Sequence, residues 1–124
     1  MRRIPTRIHG ALDYLTSGAL LALPRALGWD PGVTRLISGA ALGTIGYSAL
    51  TRYELGLVKL LPMPAHLALD ALNAALFCAG PLLFPDRGSG VRRALLAIGL
   101  FVMTVTLLSD PQPSRPMPQL ASAT

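Results

Sequence analysis

Two pairs of titratable residues with the same spacing are the part of this chain best suited to chemistry. Each pair is a His-x-x-x-Asp, and the second follows the first by 57 residues. Residues four positions apart share one face of a helix, so each histidine stacks with its aspartate. A polar residue three positions further extends each stripe. The candidate polar cluster is therefore His9, Asp13, Thr16, His66, Asp70 and Asn73.

Imidazole and carboxylate groups inside a helical bundle can serve three roles. They can relay protons, because histidine titrates near neutrality. They can ligate a divalent metal, since zinc and iron accept both imidazole nitrogen and carboxylate oxygen. They can also hold helices together, with each histidine bonding its own aspartate or the aspartates bonding across the helix pair. The structural role is our leading interpretation, and the other two stay open.

The 57-residue offset extends beyond the cluster and indicates a duplicated unit. It also relates Pro5 to Pro62 and Pro24 to Pro81. A repeat of this length predicts one structural unit used twice. The expected organisation is a first two-helix repeat at 1–56, a second at 57–110, and a proline-rich tail at 111–124 that we expect to be disordered.

Composition indicates a membrane protein. The chain is 52% hydrophobic and 14% charged, with a mean hydropathy of +0.50, whereas soluble domains average about 25% charged residues. The basic residues that give the net charge of +5 stand at the ends of apolar segments, where long cationic side chains reach lipid headgroups. A basic groove interleaved with aromatic residues is not visible in the sequence, so we do not expect nucleic acid as a partner.

Four apolar segments set the predicted fold, an all-α four-helix transmembrane bundle made of two tandem αα-hairpin repeats. With flanking residues, each reaches about 20 residues, enough for a ~30 Å hydrocarbon core. Turns are predicted at 30–32 and at 85–90. The segments are Ile8–Leu27, Leu36–Thr51, Pro64–Phe84 and Ala94–Ser109.

Small residues in the second segment predict close helix packing. Gly39 and Gly43 form a G-x-x-x-G, and Gly46 follows. This spacing lets helix backbones approach in lipid, and we expect it to serve packing within the bundle. Between the repeats, Tyr53 and Glu54 are expected to be solvated or to contact lipid headgroups.

Three stretches of the chain resemble the SPW-repeat family of small bacterial and archaeal membrane proteins. They are 4–15 (IPTRIHGALDYL), 51–56 (TRYELG) and 62–70 (PMPAHLALD). The resemblance covers 4–110 and implies two repeats of two transmembrane helices each. The Ser-Pro-Trp motif that names the family reads Leu-Pro-Arg at 23–25 and Gly-Pro-Leu at 80–82, so only the proline is kept. The resemblance implies no activity.

Two crossings per repeat predict halves related by a pseudo-two-fold axis along the membrane normal. Six basic residues then lie on the side of the termini and five on the other. By the positive-inside rule, the termini are expected in the cytoplasm, with the protein in a prokaryotic cell membrane.

We find no catalytic motif and expect neither an enzyme nor a cofactor. The leading function is a structural or partner-binding membrane subunit. Its expected partners are the lipid bilayer and a membrane protein or further copies of the chain. The alternatives are a proton or cation pathway through the His/Asp cluster, and a metal- or quinone-binding membrane protein.

Overall fold

The computed structural model describes residues 3–112, and its regular structure is helical throughout. Each of the four apolar segments forms a helix, which confirms the all-α class. Of the predicted tail, residues 113–124 lie outside the described range. The helices are α1 (Thr6–Ala26), α2 (Pro31–Ala49), α3 (Met63–Leu83) and α4 (Ser89–Leu108).

Two helices begin earlier than predicted, inside segments expected to be turns. The Asp30 carboxylate accepts the backbone N–H of Gly32 at 2.9 Å and of Val33 at 3.2 Å. It therefore caps two N–H groups that a helix start leaves unpaired, and Pro31 suits the first helical position because it has no N–H. The prediction of a turn at 30–32 was wrong for this reason. Likewise α4 begins at Ser89, within the predicted 85–90 turn.

Matching backbone bridges connect the two helical hairpins, α1–α2 and α3–α4, at one end of the bundle. The Ile4 N–H donates to the Leu108 carbonyl at 2.7 Å, and the Leu61 N–H donates to the Leu50 carbonyl at 2.7 Å. Ile4 and Leu61 are 57 positions apart, but Leu50 and Leu108 are 58 apart. Matching positions in the two helical hairpins are therefore 57 apart in α1 and α3 and 58 apart in α2 and α4. One bridge joins the residues before α1 to the end of α4, and the other joins the end of α2 to the residues before α3.

The apolar core fills the other half of the bundle, towards the α1–α2 and α3–α4 turns. Leu20, Ile37, Phe77 and Leu95 are buried there. A Cβ built on Gly99 of α4 would lie 2.5 Å from a side-chain sulfur of α3. Only glycine fits at this position, and its lack of a side chain lets α4 pack closely against α3.

The glycines of the G-x-x-x-G pattern do not pack inside the bundle, so that prediction was wrong. Gly39, Gly43 and Gly46 are exposed on α2, and a Cβ built on any of them meets no atom within 4 Å. Small size permits close approach but does not determine which face of a helix turns inward. The close contact is instead made at Gly99.

Two of the four helices, α3 and α4, are long and apolar enough to cross a membrane. Their lengths are 21 and 20 residues. At 1.5 Å per residue, each spans about 30 Å, the thickness of a bilayer's hydrocarbon core.

Candidate functional site

The two histidines and two aspartates of the repeated pattern meet in one cluster near the start of α1 and α3. His9 Nε2 lies 2.8 Å from an Asp70 oxygen, and His66 Nε2 lies 2.9 Å from an Asp13 oxygen. The contacts within each helix are longer, at 3.3 Å for His9 with Asp13 and 3.2 Å for His66 with Asp70. Each histidine therefore lies closer to the aspartate of the other repeat than to its own.

The cluster is shielded from solvent. The side chains of His9 and His66 are 1% and 0% exposed, and those of Asp13 and Asp70 are 10% and 4% exposed. Ionisable groups are buried to this degree only when they are paired or bind a metal. The His9 and His66 rings also meet edge to face, with centroids 5.2 Å apart.

A hydroxyl group fixes the second nitrogen of each ring. His9 Nδ1 contacts Ser109 Oγ, and His66 Nδ1 contacts Thr51 Oγ1 at 2.7 Å. Both hydroxyls already donate their only proton to a backbone carbonyl one helical turn earlier, at 2.6 Å in each case. Each Nδ1 must therefore carry the proton and donate it to the hydroxyl oxygen. This arrangement aims both Nε2 atoms at the carboxylates.

The hydroxyls also cross between the repeats. Ser109, the residue directly after α4, accepts the Nδ1–H of His9 in α1. Thr51, which follows α2, accepts the Nδ1–H of His66 in α3. These two residues were missed in the sequence because they match at an offset of 58 rather than 57.

Further hydroxyl groups donate to the carboxylates, and their identity and distance differ between the two aspartates. Asp70 accepts a short hydrogen bond from the Tyr47 hydroxyl. Asp13 accepts longer ones, at 3.3 Å from Ser48 and 3.4 Å from Tyr53. The closest hydroxyl donor to either carboxylate is therefore Tyr47, on Asp70.

Tyr53 is buried rather than solvated, which corrects the prediction for this residue, whereas Glu54 is half-buried. The Tyr53 ring is 1% exposed and lies against Gly10, where a Cβ would be 2.8 Å from a ring carbon. Burial raises the pKa of the Tyr53 phenol, so it stays protonated and donates to Asp13. Glu54 accepts the Thr6 hydroxyl at 2.7 Å.

The outer members of the two predicted stripes have different surroundings. Asn73 Nδ2 donates to Thr44 Oγ1 at 2.8 Å and to the Tyr47 hydroxyl at 3.2 Å. Thr16, its equivalent in α1, lines a small cavity beside the cluster. The four central residues thus form a near-symmetric group, whereas the groups around them are asymmetric.

The central group offers a metal ion one atom from each residue. The two imidazole nitrogens and two carboxylate oxygens all lie within 4.8 Å of one another. Atoms ~2.0–2.2 Å from a tetrahedral zinc are ~3.3–3.6 Å apart, so small movements of the side chains are enough to reach that geometry. The same group can alternatively hold two protons, one on each Nε2.

No protein-family model, curated protein or solved structure matches the chain. The resemblance to the SPW-repeat family therefore stays a prediction from sequence motifs. Any function must be argued from the cluster and its surroundings.

Proposed function

We propose that this chain is a four-span integral membrane protein that binds one divalent transition metal ion between its two repeats. The observation that carries the metal assignment is the fixed pair of Nδ1–H donors, which leaves both Nε2 atoms directed at two buried carboxylates. Metal-binding histidines characteristically donate the other ring N–H to an oxygen, which sets the tautomer. Here the accepting oxygen is Ser109 Oγ for His9 and Thr51 Oγ1 for His66.

The distribution of polar and apolar residues supports a lipid environment. Among the described residues, buried polar side chains are as numerous as buried apolar ones. Large apolar side chains are exposed along all four helices, including Leu15 at 72%, Leu42 at 59%, Leu72 at 67% and Leu107 at 72%. Soluble monomers rarely expose apolar surface on every side. Lipid removes this cost, and α3 and α4 already have the length and hydropathy of spans.

Charge balance in the cluster is met by one divalent cation, as it is by two imidazolium rings. Two carboxylates bring two negative charges into a buried site, and removing them from water is costly unless they are neutralised. One divalent ion with two neutral imidazoles gives a total charge of zero. Nitrogen and oxygen donors in this ratio suit zinc or iron.

Zinc binding to the purified protein in detergent tests the assignment. After removal of metal with EDTA, equilibrium dialysis against buffered Zn²⁺ should give one zinc per chain. A His66→Ala variant should lose this zinc, whereas Asp30→Asn, which alters a carboxylate outside the cluster, should keep it. Failure of the folded wild-type protein to retain stoichiometric zinc would refute the proposal.

Stability provides a measurement that needs no variant. A ligand that binds only the folded state stabilises it by about 2.7 kcal/mol at a free concentration of about 100 times Kd. Denaturation by SDS should therefore shift to higher detergent fraction as free Zn²⁺ rises. An unchanged transition would contradict metal binding even if every cluster variant failed to fold.

A purely structural role for the cluster is the second candidate. The cross-repeat contacts at 2.8 and 2.9 Å favour it, because they are hydrogen-bond distances between imidazole and carboxylate. In that case the histidines carry protons on Nε2, zinc has no effect, and the partner-binding function remains the leading one. The proton or cation pathway stays a prediction, tested by flux into liposomes that carry the wild-type protein or a folded Asp13→Asn, Asp70→Asn variant.

A further inference from the structure

A cavity of about 40 Å³ adjoins the cluster. Most of its lining residues belong to α1 and α4, and His9, Asp13 and Asp70 form its polar end. Its walls are otherwise mainly apolar, with Val102 and Val105 on α4. Since a buried water needs ~10–15 Å³ of such space, the cavity has room for about three water-sized groups.

The cavity lies where the pseudo-symmetry of the bundle fails. By the offset of 58, Val105 and Val102 of α4 occupy the places of Tyr47 and Thr44 of α2. On the α2–α3 side, the Tyr47 ring fills the space beside Asp70 and its hydroxyl bonds the carboxylate. On the α1–α4 side, the valine that replaces it has neither the ring nor the hydroxyl. The space beside Asp13 and His9 is therefore left open.

We propose that this cavity is the open coordination side of the metal site, and that it admits an exogenous ligand of two or three heavy atoms. This inference rests on the proposed metal-binding function. Four protein ligands complete a tetrahedral set, but zinc can expand to five-coordinate, so an exogenous ligand at this site is the fifth. Here the four protein ligands leave one flank blocked by Tyr47 and the other bordered by the cavity.

The size and lining of the cavity define the class of ligand. Room for about three water-sized groups fits a ligand of two or three heavy atoms better than a quinone ring or a sugar. Apolar walls disfavour a strongly hydrated ion away from the metal. The ligand class is therefore water or a small linear anion, bound through one atom to the metal and lying along the valine wall.

Azide added to the Co²⁺-loaded protein tests the inference. The visible absorption of Co²⁺ reports coordination number and geometry. Wild-type protein should show a saturable spectral change as azide is added. Val105→Tyr, which supplies the side chain present in the other half, should keep stoichiometric Co²⁺ and lose the azide response. Leu107→Tyr places the same ring on the exposed face of α4 and should respond like wild type.

The outcomes separate this inference from the proposed function. Absence of bound Co²⁺ in the folded wild type refutes both. Bound Co²⁺ with no response to azide leaves the metal site standing as a closed site and overturns the open side. A full response in Val105→Tyr also overturns it, because the ligand then enters elsewhere. If Val105→Tyr does not fold, Val105→Leu, which fills the cavity partly, should show a weakened response, and an undiminished one would refute the inference.

Discussion

Replacement of Asp70 by asparagine is expected to reduce stability more than the same change at Asp13, although the two aspartates are equivalent in the repeat. Asparagine keeps the shape of the side chain and removes its charge. At Asp70, the change removes the carboxylate partner of His9 at 2.8 Å and of the Tyr47 hydroxyl. At Asp13 it removes the carboxylate partner of His66 at 2.9 Å, but the hydroxyl donors to Asp13 bond it only weakly, at 3.3 and 3.4 Å.

The magnitudes follow from burial and from the number of strong hydrogen bonds. Removal of one member of a buried ionic pair costs about 3 to 5 kcal/mol, and we expect Asp70→Asn to fall in this range. Asp13→Asn should cost about 1 to 2 kcal/mol less, because hydrogen bonds to a charged group contribute about 1.5 to 3 kcal/mol each and only Asp70 has a strong tyrosine donor. The exposed Arg87–Asp30 pair gives a reference, since Arg87→Gln should cost less than about 1 kcal/mol.

The assay is reversible unfolding in mixed detergent micelles by SDS, followed by far-UV circular dichroism, with EDTA present so that metal does not contribute. Tyr47→Phe serves as the diagnostic background, because in it the two asparagine variants should become nearly equal. Equal costs in the wild-type background, or a larger cost at Asp13, would show that Tyr47 does not distinguish the two halves.

Three further outcomes are expected. Gly99→Ala should destabilise the protein by about 1 to 3 kcal/mol through overpacking, whereas Gly43→Ala, at an open helical position, should be neutral or stabilising by up to about 1 kcal/mol in the same unfolding assay; equal effects would contradict the packing described. Asp30→Ala should cost about 1 kcal/mol through loss of the α2 cap, and an unchanged midpoint would mean that the cap contributes nothing. Thr51→Val combined with Ser109→Ala should weaken zinc affinity about 10- to 100-fold in competition dialysis without changing its stoichiometry; unaltered affinity would remove the role assigned to the hydroxyls.

The sequence predicts the four central residues of the site because their spacing matches the period of an α-helix. Spacing of four places His9 with Asp13 on one helical face, and the repeat places the equivalent pair at the same depth. The structure brings these four residues together. Sequence spacing along one helix does not report which aspartate each histidine meets across the bundle.

The surrounding hydroxyls could not be found by the same reasoning. Thr51 and Ser109 follow the second helix of each repeat, where the offset has become 58, and an offset of 57 pairs Thr51 with Leu108 instead. Tyr53 lies in a connector of mixed polar and apolar residues, and only the tertiary fold brings it back onto Gly10. Whether the glycines of α2 face the bundle or its surroundings depends on how the helix is rotated about its axis. The spacing of small residues does not specify that rotation.

The contacts of His9 with residues of the second helical hairpin have a consequence for the order of synthesis. Chains emerge with the N-terminus first, so α1 is made long before its partners. The hydrogen-bond partners of His9 are synthesised later, first Asp70 and finally Ser109, the residue directly after α4. The first histidine to be made is therefore the last to be satisfied. A chain that ends between Asp70 and Ser109 keeps the carboxylate partners of His9 but lacks the hydroxyl that accepts its Nδ1–H.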